Sequence, residues 1–412
     1  MRRLVRLLTL TQLLIACAAD GSAPIYDNEV GGDCSGKCDG GDDTGYFLGS
    51  YDAARARFRA TADGIAATHP RAELGNYQVP SATDQDLTTD WLYLPATGTP
   101  QRLIIVTSGV HGAEAFVGSA VQEMLMREWL PGVALADTSV LFVHALNPWG
   151  YKHRRRVTEQ NVDLNRNLST DPALFATENP GYVDLDGFLN PTHAVSAWDV
   201  NTDIVELAAE VVSHGQTALR DATLGGQYDF DRGIYFGGFE PVPQKANLEE
   251  LFLRFAEPHR AVFLMDLHTG YGERGKLHYF GDAGDRSGEA MKAVFAGFAI
   301  DSAETNPDFY ETNGDLVVWL GQILPTDKTY IGTTLEYGTL DSQTLLGGIR
   351  SLQRMRLENQ GFHHGFTSEP VKRGVLQRFS DMFDPPDSKW RRKILDTTLR
   401  EVPILVGRFQ QL

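Results

Sequence analysis

Cysteine is scarce in this chain: three in 412 residues, at positions 17, 34 and 38. None follows Cys38, so thiol catalysis is excluded from the rest of the chain, and two isolated thiols are a poor basis for a zinc site. Basic charge is also in short supply, with 37 Lys and Arg against 54 Asp and Glu and a formal net charge of −17. That balance excludes the basic face a nucleic-acid binder needs, and it offers no strong attraction to anionic lipid. Long apolar runs are missing as well. The stretch from Leu7 to Ala16 is too short to span a bilayer, and no internal repeat is visible. What remains is an ordinary globular composition, 42% hydrophobic. Its length suits one large α/β domain or two smaller ones.

The first residues have the layout of an export signal. Arg2, Arg3 and Arg6 precede the apolar stretch 7–16, as in a signal peptide. The segment Leu14-Ile-Ala-Cys17 resembles the bacterial lipobox, whose Cys becomes lipidated and begins the mature chain. Ala18 suits outer-membrane sorting. The expectation is a signal peptide over 1–16 and an exported protein: an outer-membrane lipoprotein, or an extracellular or periplasmic one. Membrane contact would be only through a lipid on Cys17. An ordinary cleaved signal with an incidental Cys17 is the alternative. Residues 17–45 read as a flexible, acidic, Gly-rich linker that buries too little to order itself. In an oxidising compartment Cys34 and Cys38 are free to form a short-loop disulfide.

From Tyr46 the composition turns globular. The pattern predicts helices over 51–68, from about 113 to 130, near 203–218, and over 345–358 and 387–401. It predicts strands at 91–94, 103–106, 139–145, 261–267 and 333–337. Asn147-Pro148-Trp149-Gly150 reads as a turn. Strands alternating with helices imply an α/β fold with a mixed, mainly parallel central sheet flanked by helices. Residues 46–412 are expected to form one catalytic domain, with 168–260 as a candidate insertion that forms a lid or a subsite wall.

The strand Leu103-Ile-Ile-Val106 is broken by Gly109 and Gly112, and His111 and Glu114 follow three residues apart at a strand-to-helix junction. An imidazole and a carboxylate so placed can reach one cation, and catalytic zinc takes three such protein ligands with one position left open. An isolated His-x-x-Glu is weak evidence on its own. Further motifs follow in order: Asn147-Pro-Trp-Gly-Tyr151, Arg156, Val162-Asp-Leu-Asn-Arg-Asn167, Asp266-Leu-His-Thr-Gly270 and Leu335-Glu-Tyr-Gly-Thr339. Together with His111-Gly-Ala-Glu114 they make residues 46–360 resemble the zinc carboxypeptidase superfamily, the M14-like metallocarboxypeptidases. The nearer match is a bacterial branch of carboxypeptidase-like proteins.

The resemblance implies one Zn2+ held by His111, Glu114 and His268, with Asp163 orienting the first His. It implies Glu336 as general base toward a zinc-activated water, and Arg156 polarising the scissile carbonyl. Asn165 and Arg166 would grip the substrate's terminal carboxylate, and Tyr310 would be the mobile tyrosine that closes on the substrate. Counting from Tyr310, the position that sets side-chain preference falls near Val317, which argues against basic C-terminal residues.

Other residues have plainer readings. Arg154 suits a solvated turn, Arg155 is open, and His144 inside a strand reads as core. His153, His278, His363 and His364 read as surface or turn residues. The expected activity is hydrolysis of an amide next to a free carboxylate, on a peptide or an acylated amino acid. An N-acyl-amino-acid deacylase of the same fold is the alternative. An inactive surface-binding homologue is a third reading, against which the full set of ligands, base and arginine argues.

Overall fold

The β-branched run at 103–106 becomes part of a strand in the middle of the sheet, because both of its faces are covered. The computed structural model describes residues 45–281, 288–301 and 312–412. The expected signal peptide, the linker up to residue 44 and Tyr310 therefore lie outside the described residues. In chain order the elements begin with α1 (Tyr51–Thr68), β1 (Glu73–Gln78), β2 (Thr88–Leu94) and β3 (Arg102–Ser108). Then come α2 (Ala115–Met124), β4 (Thr138–His144), α3 (Pro148–His153), α4 (Pro180–Leu189), α5 (Ala197–His214), α6 (Gln216–Leu224) and α7 (Gln244–Ala256). The second half has β5 (Ala261–Gly270), β6 (Leu277–Phe280), α8 (Gly288–Val294), β7 (Ile300–Asp301), α9 (Leu316–Ile323) and β8 (Thr329–Gly338). It ends with α10 (Leu345–His364), α11 (Glu369–Phe383) and α12 (Ser388–Phe409).

The sheet order is β1-β2-β4-β3-β5-β8-β6-β7. Its centre, β4-β3-β5-β8, is parallel, while β1, β2 and β6 pair antiparallel with their neighbours toward the centre. This is the expected mixed α/β sheet. Strands buried on both faces need continuous apolar runs rather than alternation, and β3, β4 and β5 are buried almost end to end. One face carries a core built with α1, α2 and α12, including Phe58, Met124 and Leu405. The other face packs α7 and α9 through Phe252 and Trp319. A third apolar cluster, with Tyr182, Leu207, Leu219, Leu352 and Phe379, joins α4, α5, α6, α10 and α11.

Several expectations change in detail. Asn147-Pro-Trp-Gly is a helix start rather than a turn. The Asn147 carboxamide accepts from Gly150 N at 2.9 Å, and Pro148 fills the first helical position, where no N–H is needed. The single helix expected near 203–218 is two, separated at Gly215, whose φ of +93° suits a residue without Cβ. Within residues 168–260, α4–α6 join the third cluster, whereas Leu248, Leu251 and Phe252 of α7 belong to the core on the sheet. Strands β1 and β6 and helix α11 had no counterpart in the sequence reading.

Candidate active site

Parallel strands β3, β5 and β8 end on the same side, and in open α/β sheets that edge is where ligands bind. Ser108 pairs with Leu267, and His268 pairs with Glu336 in the next strand. The register alone therefore sets His268 and Glu336 side by side just beyond the β3 end. His111 leads into the short turn Gly112–Glu114 that opens α2. This corner is tightly seated: a Cβ on Gly112 would lie 2.0 Å from the Gly150 carbonyl carbon, and Gly112 N donates to Arg156 O at 3.1 Å. Glycine is required there because two backbones touch, and that contact ties the His111 corner to the loop carrying Arg156.

His111, Glu114 and His268 are buried, and one ligand atom from each lies within 4.8 Å of the others. The His111 Nδ1 sits 2.8 Å from Glu114 Oε1, and the His268 Nδ1 sits 3.1 Å from Glu114 Oε2. Each ring is held from behind by a carboxylate on Nε2: Asp163 Oδ1 at 3.0 Å for His111 and Asp266 Oδ2 at 2.6 Å for His268. An acid on Nε2 holds a proton there, so Nδ1 is the nitrogen each ring would offer to a metal ion. The His111 Nδ1 is buried and makes no aligned hydrogen bond. Two imidazole nitrogens and a carboxylate converging in this way fit a single divalent ion of the zinc type.

Arg156 donates from Nε to Asp163 Oδ2 at 2.9 Å and from Nη1 to Glu114 Oε1 at 3.1 Å. Asn165 accepts from Leu316 N at 2.8 Å through its side-chain oxygen. Arg166 donates to the carbonyls of Leu224 and Asn165, and among the described residues no carboxylate pairs with it. Glu336 accepts from Tyr271 N at 2.8 Å. Arg156, Asn165, Arg166 and Glu336, with His111, Glu114, His268 and Val317, line one cavity of about 820 Å³.

The electrostatics follow from burial and from who faces whom. Burial would raise the Asp163 carboxyl, but the charge of Arg156 and then His111 overrides it and holds the group well below the usual range. Glu114 is likewise lowered against its burial by His111 and His268. Burial would lower His268, yet Asp266 and Glu114 keep it well above the ordinary imidazole value. Glu336 differs from its neighbours. Burial first and the Glu114 charge second push it up to about 8, against the pull of His268 and Arg156. Two close acids are thus driven apart, one ionised and one poised near neutrality, a pattern typical of acid–base chemistry.

The structure therefore brings together eight of the nine residues singled out from the sequence, while Tyr310 lies outside the described residues. Arg155, left open, is buried and pairs with Glu358 at 2.8 Å, away from the cavity. Arg154 caps α3 in the left-handed region and donates to Gly49 O. His144 is core, its ring stacked 5.0 Å from Phe58. Asp266 was missed. The available signal was strand alternation, since residues two apart in a strand share a face and Asp266 stands two before His268. Tyr235, 5.4 Å from the Arg156 guanidinium, carried no sequence signal.

Solved structures with similar folds include bovine thrombin-activatable fibrinolysis inhibitor in complex with tick carboxypeptidase inhibitor. It is 13% identical, the match covers 81% of this chain and 98% of that one, and the TM-score is 0.41. Carboxypeptidase A from Helicoverpa armigera is 12% identical over 87% of this chain and 80% of that one, with a TM-score of 0.41. A metallo-carboxypeptidase from Burkholderia cenocepacia is 12% identical over 74% and 68%, with a TM-score of 0.36. No curated protein matches the chain. Residues 47–397 match the family described as "Protein of unknown function (DUF2817)", and the chain belongs to that family.

Proposed function

We propose that this chain is a zinc-dependent metallocarboxypeptidase that hydrolyses an amide bond next to a free C-terminal carboxylate. One observation carries the reading. Two imidazoles, each anchored by its own acid through Nε2, turn Nδ1 toward Glu114, and Glu336 stands at the paired position of the adjacent strand. His111, Glu114 and His268 would hold the ion, which when bound supplies Lewis acidity and lowers the pKa of water to about 7.

The chain's own groups would do the rest. Glu336 takes a proton from the attacking water and delivers it to the leaving amine, a task suited to a carboxyl poised near neutral pH. Arg156 spends Nε and Nη1 on Asp163 and Glu114, which fixes its plane and leaves Nη2 for the developing oxyanion. Arg166 has its fork held by the carbonyls of Leu224 and Asn165 and, among the described residues, forms no ion pair with a carboxylate, so it is the natural partner of a substrate carboxylate, with Asn165 beside it. Tyr310 is proposed to close over the bound substrate. Val317, apolar and buried in the cavity wall, favours a C-terminal residue without positive charge. With the export signal read at 1–16 and Cys17, the proposed substrates are extracellular peptides or acylated amino acids.

The test is Glu336→Gln, expected to keep its zinc and to lose about 10²–10⁴ in turnover, the usual worth of a general base. Full activity in that variant removes Glu336 from the mechanism. A peptide and its C-terminal amide provide the second comparison. Equal cleavage of both argues against the role of Asn165 and Arg166.

A further inference from the structure

The cavity is larger than the metal corner and the carboxylate grip need. Its volume of about 820 Å³ lies in the upper part of the range, about 300–1,000 Å³, that encloses a whole drug-sized ligand. The carboxylate end is built from Asn165, Arg166 and Val317, and it is tied to α9 through the Leu316 N–H. The opposite wall comes from other elements, Ile349, Leu352 and Met355 of α10 and Met382 and Phe383 of α11, whereas α6 ends beside Arg166, which donates to Leu224 O. These five side chains are apolar, at most 9% exposed, and packed together in the third apolar cluster, which backs this side of the cavity.

This wall meets the chemistry directly. The Thr269 hydroxyl donates to Phe383 O at 2.7 Å. A Cβ placed on Gly270 would stand 3.2 Å from the Phe383 ring and 3.9 Å from Glu336 Oε1. The apolar wall therefore begins where His268 and Glu336 end. With the leaving-amine half of a substrate held by its carboxylate at Arg166, the space beyond Glu336 falls to the acyl half.

Resting on the function proposed above, we propose that the α10–α11 wall is the acyl-side specificity pocket. The substrate is then an amide whose acyl half carries a bulky apolar group, either an aliphatic acyl chain or a large apolar residue before the scissile bond. Two methionines in the wall suit a pocket that must adapt to flexible chains. The side chains of α10 and α11 act by excluding water from that group, and none of them takes part in bond making.

The experiment uses the zinc-loaded full chain and N-acetyl-, N-butyryl-, N-hexanoyl- and N-octanoyl-L-phenylalanine, with kcat/KM read from released phenylalanine. Each methylene buried is worth up to about fourfold, so octanoyl is expected to exceed acetyl by about 100-fold or more. A second arm compares benzyloxycarbonyl-Leu-Phe with benzyloxycarbonyl-Gly-Phe and shows whether a residue side chain or an acyl chain is the better occupant. Leu352→Phe fills the pocket without burying a polar group and is expected to shift the optimum to acetyl. Leu352→Asn is expected to flatten the series. Acetyl and octanoyl cleaved equally well, with no change of ratio in Leu352→Phe, overturns the pocket but leaves the metallocarboxypeptidase reading standing. No cleavage of any member by zinc-loaded protein overturns both.

Discussion

Asp266 offers the sharpest test of how the metal corner is held. Its carboxylate is 1% exposed. It accepts from the Thr107 hydroxyl at 2.6 Å on Oδ1 and meets His268 Nε2 at 2.6 Å on Oδ2. The residue would touch neither ion nor substrate, so its effect must pass through the tautomer and orientation of His268. Loss of such a partner typically costs 10- to 100-fold in metal affinity, or about 1.4–2.8 kcal/mol at 1.4 kcal/mol per decade. The two substitutions should separate within that span. In Asp266→Asn the amide oxygen can still accept from His268 Nε2 while its NH2 turns to the Thr107 hydroxyl. The tautomer survives and only the charge is lost, so about tenfold weaker zinc binding is expected. Asp266→Ala removes the acceptor, lets the ring carry its proton on Nδ1, and leaves the buried Thr107 hydroxyl unpaired. About 100-fold weakening is expected there. Competition with a chromophoric chelator measures both affinities, and thermal melts of the metal-free variants separate loss of fold from loss of metal. Zinc bound as tightly by Asp266→Ala as by the native chain, or more weakly by Asn than by Ala, refutes the reasoning.

Three further outcomes are expected. Gly112→Ala forces a Cβ to 2.0 Å from the Gly150 carbonyl carbon. The His111 corner must move, and a loss of about 1–3 kcal/mol in stability should appear in denaturant melts together with weaker zinc binding. Arg166→Met removes charge-assisted bonds worth about 1.5–3 kcal/mol. It should lower kcat/KM for a free-acid peptide by one to two decades while leaving the C-terminal amide unaffected, and an equal loss on both substrates would contradict the assignment. His144 is fully buried and pushed down to about 3 by burial, with Arg57 adding to it. The unfolded chain then binds a proton near pH 6.5 that the native chain refuses, so stability falls as pH drops from 6.5 toward 3. At pH 5 the loss is about 2 kcal/mol relative to pH 7. Urea melts of His144→Gln should lack that increment, and identical pH slopes in both proteins would rule it out.

The legible parts of the fold were those carried by local pattern. The helix at Tyr51–Thr68 was legible from its amphipathic pattern, and in the structure Ser50 caps its start. The central strands were visible as unbroken β-branched and apolar runs. The strand Glu73–Gln78 left no such trace, because it lies at the sheet edge, pairs with only one neighbour and alternates between half-buried and exposed residues. Asn147-Pro-Trp-Gly misled because Asn and Pro begin turns and helices alike, and only the hydrogen bond to Gly150 N decides between them. Arg155 and Arg156 are adjacent with identical chemistry in isolation. One faces Glu358 of α10 and the other Asp163 and Glu114, a difference no local pattern contains.

By itself the sequence determined which residue types were available and in what order. That order supplied two imidazoles and several acids near the ends of apolar strands and arginines in the loops between, without cysteine chemistry and without a basic face. These are properties of side chains and of the periods 2 and 3.6, and they are local. The tertiary structure decided which of them meet. The β5–β8 register put Glu336 beside His268, the Gly112–Gly150 contact brought Arg156 to Glu114, and Asp266 became the anchor of a histidine. The packing of α10 and α11 over the strand ends, with Phe383 bonded to Thr269 114 residues before it, closed the apolar wall. Such contacts depend on where whole elements dock, and docking is settled by burial summed over the molecule rather than by any stretch of it.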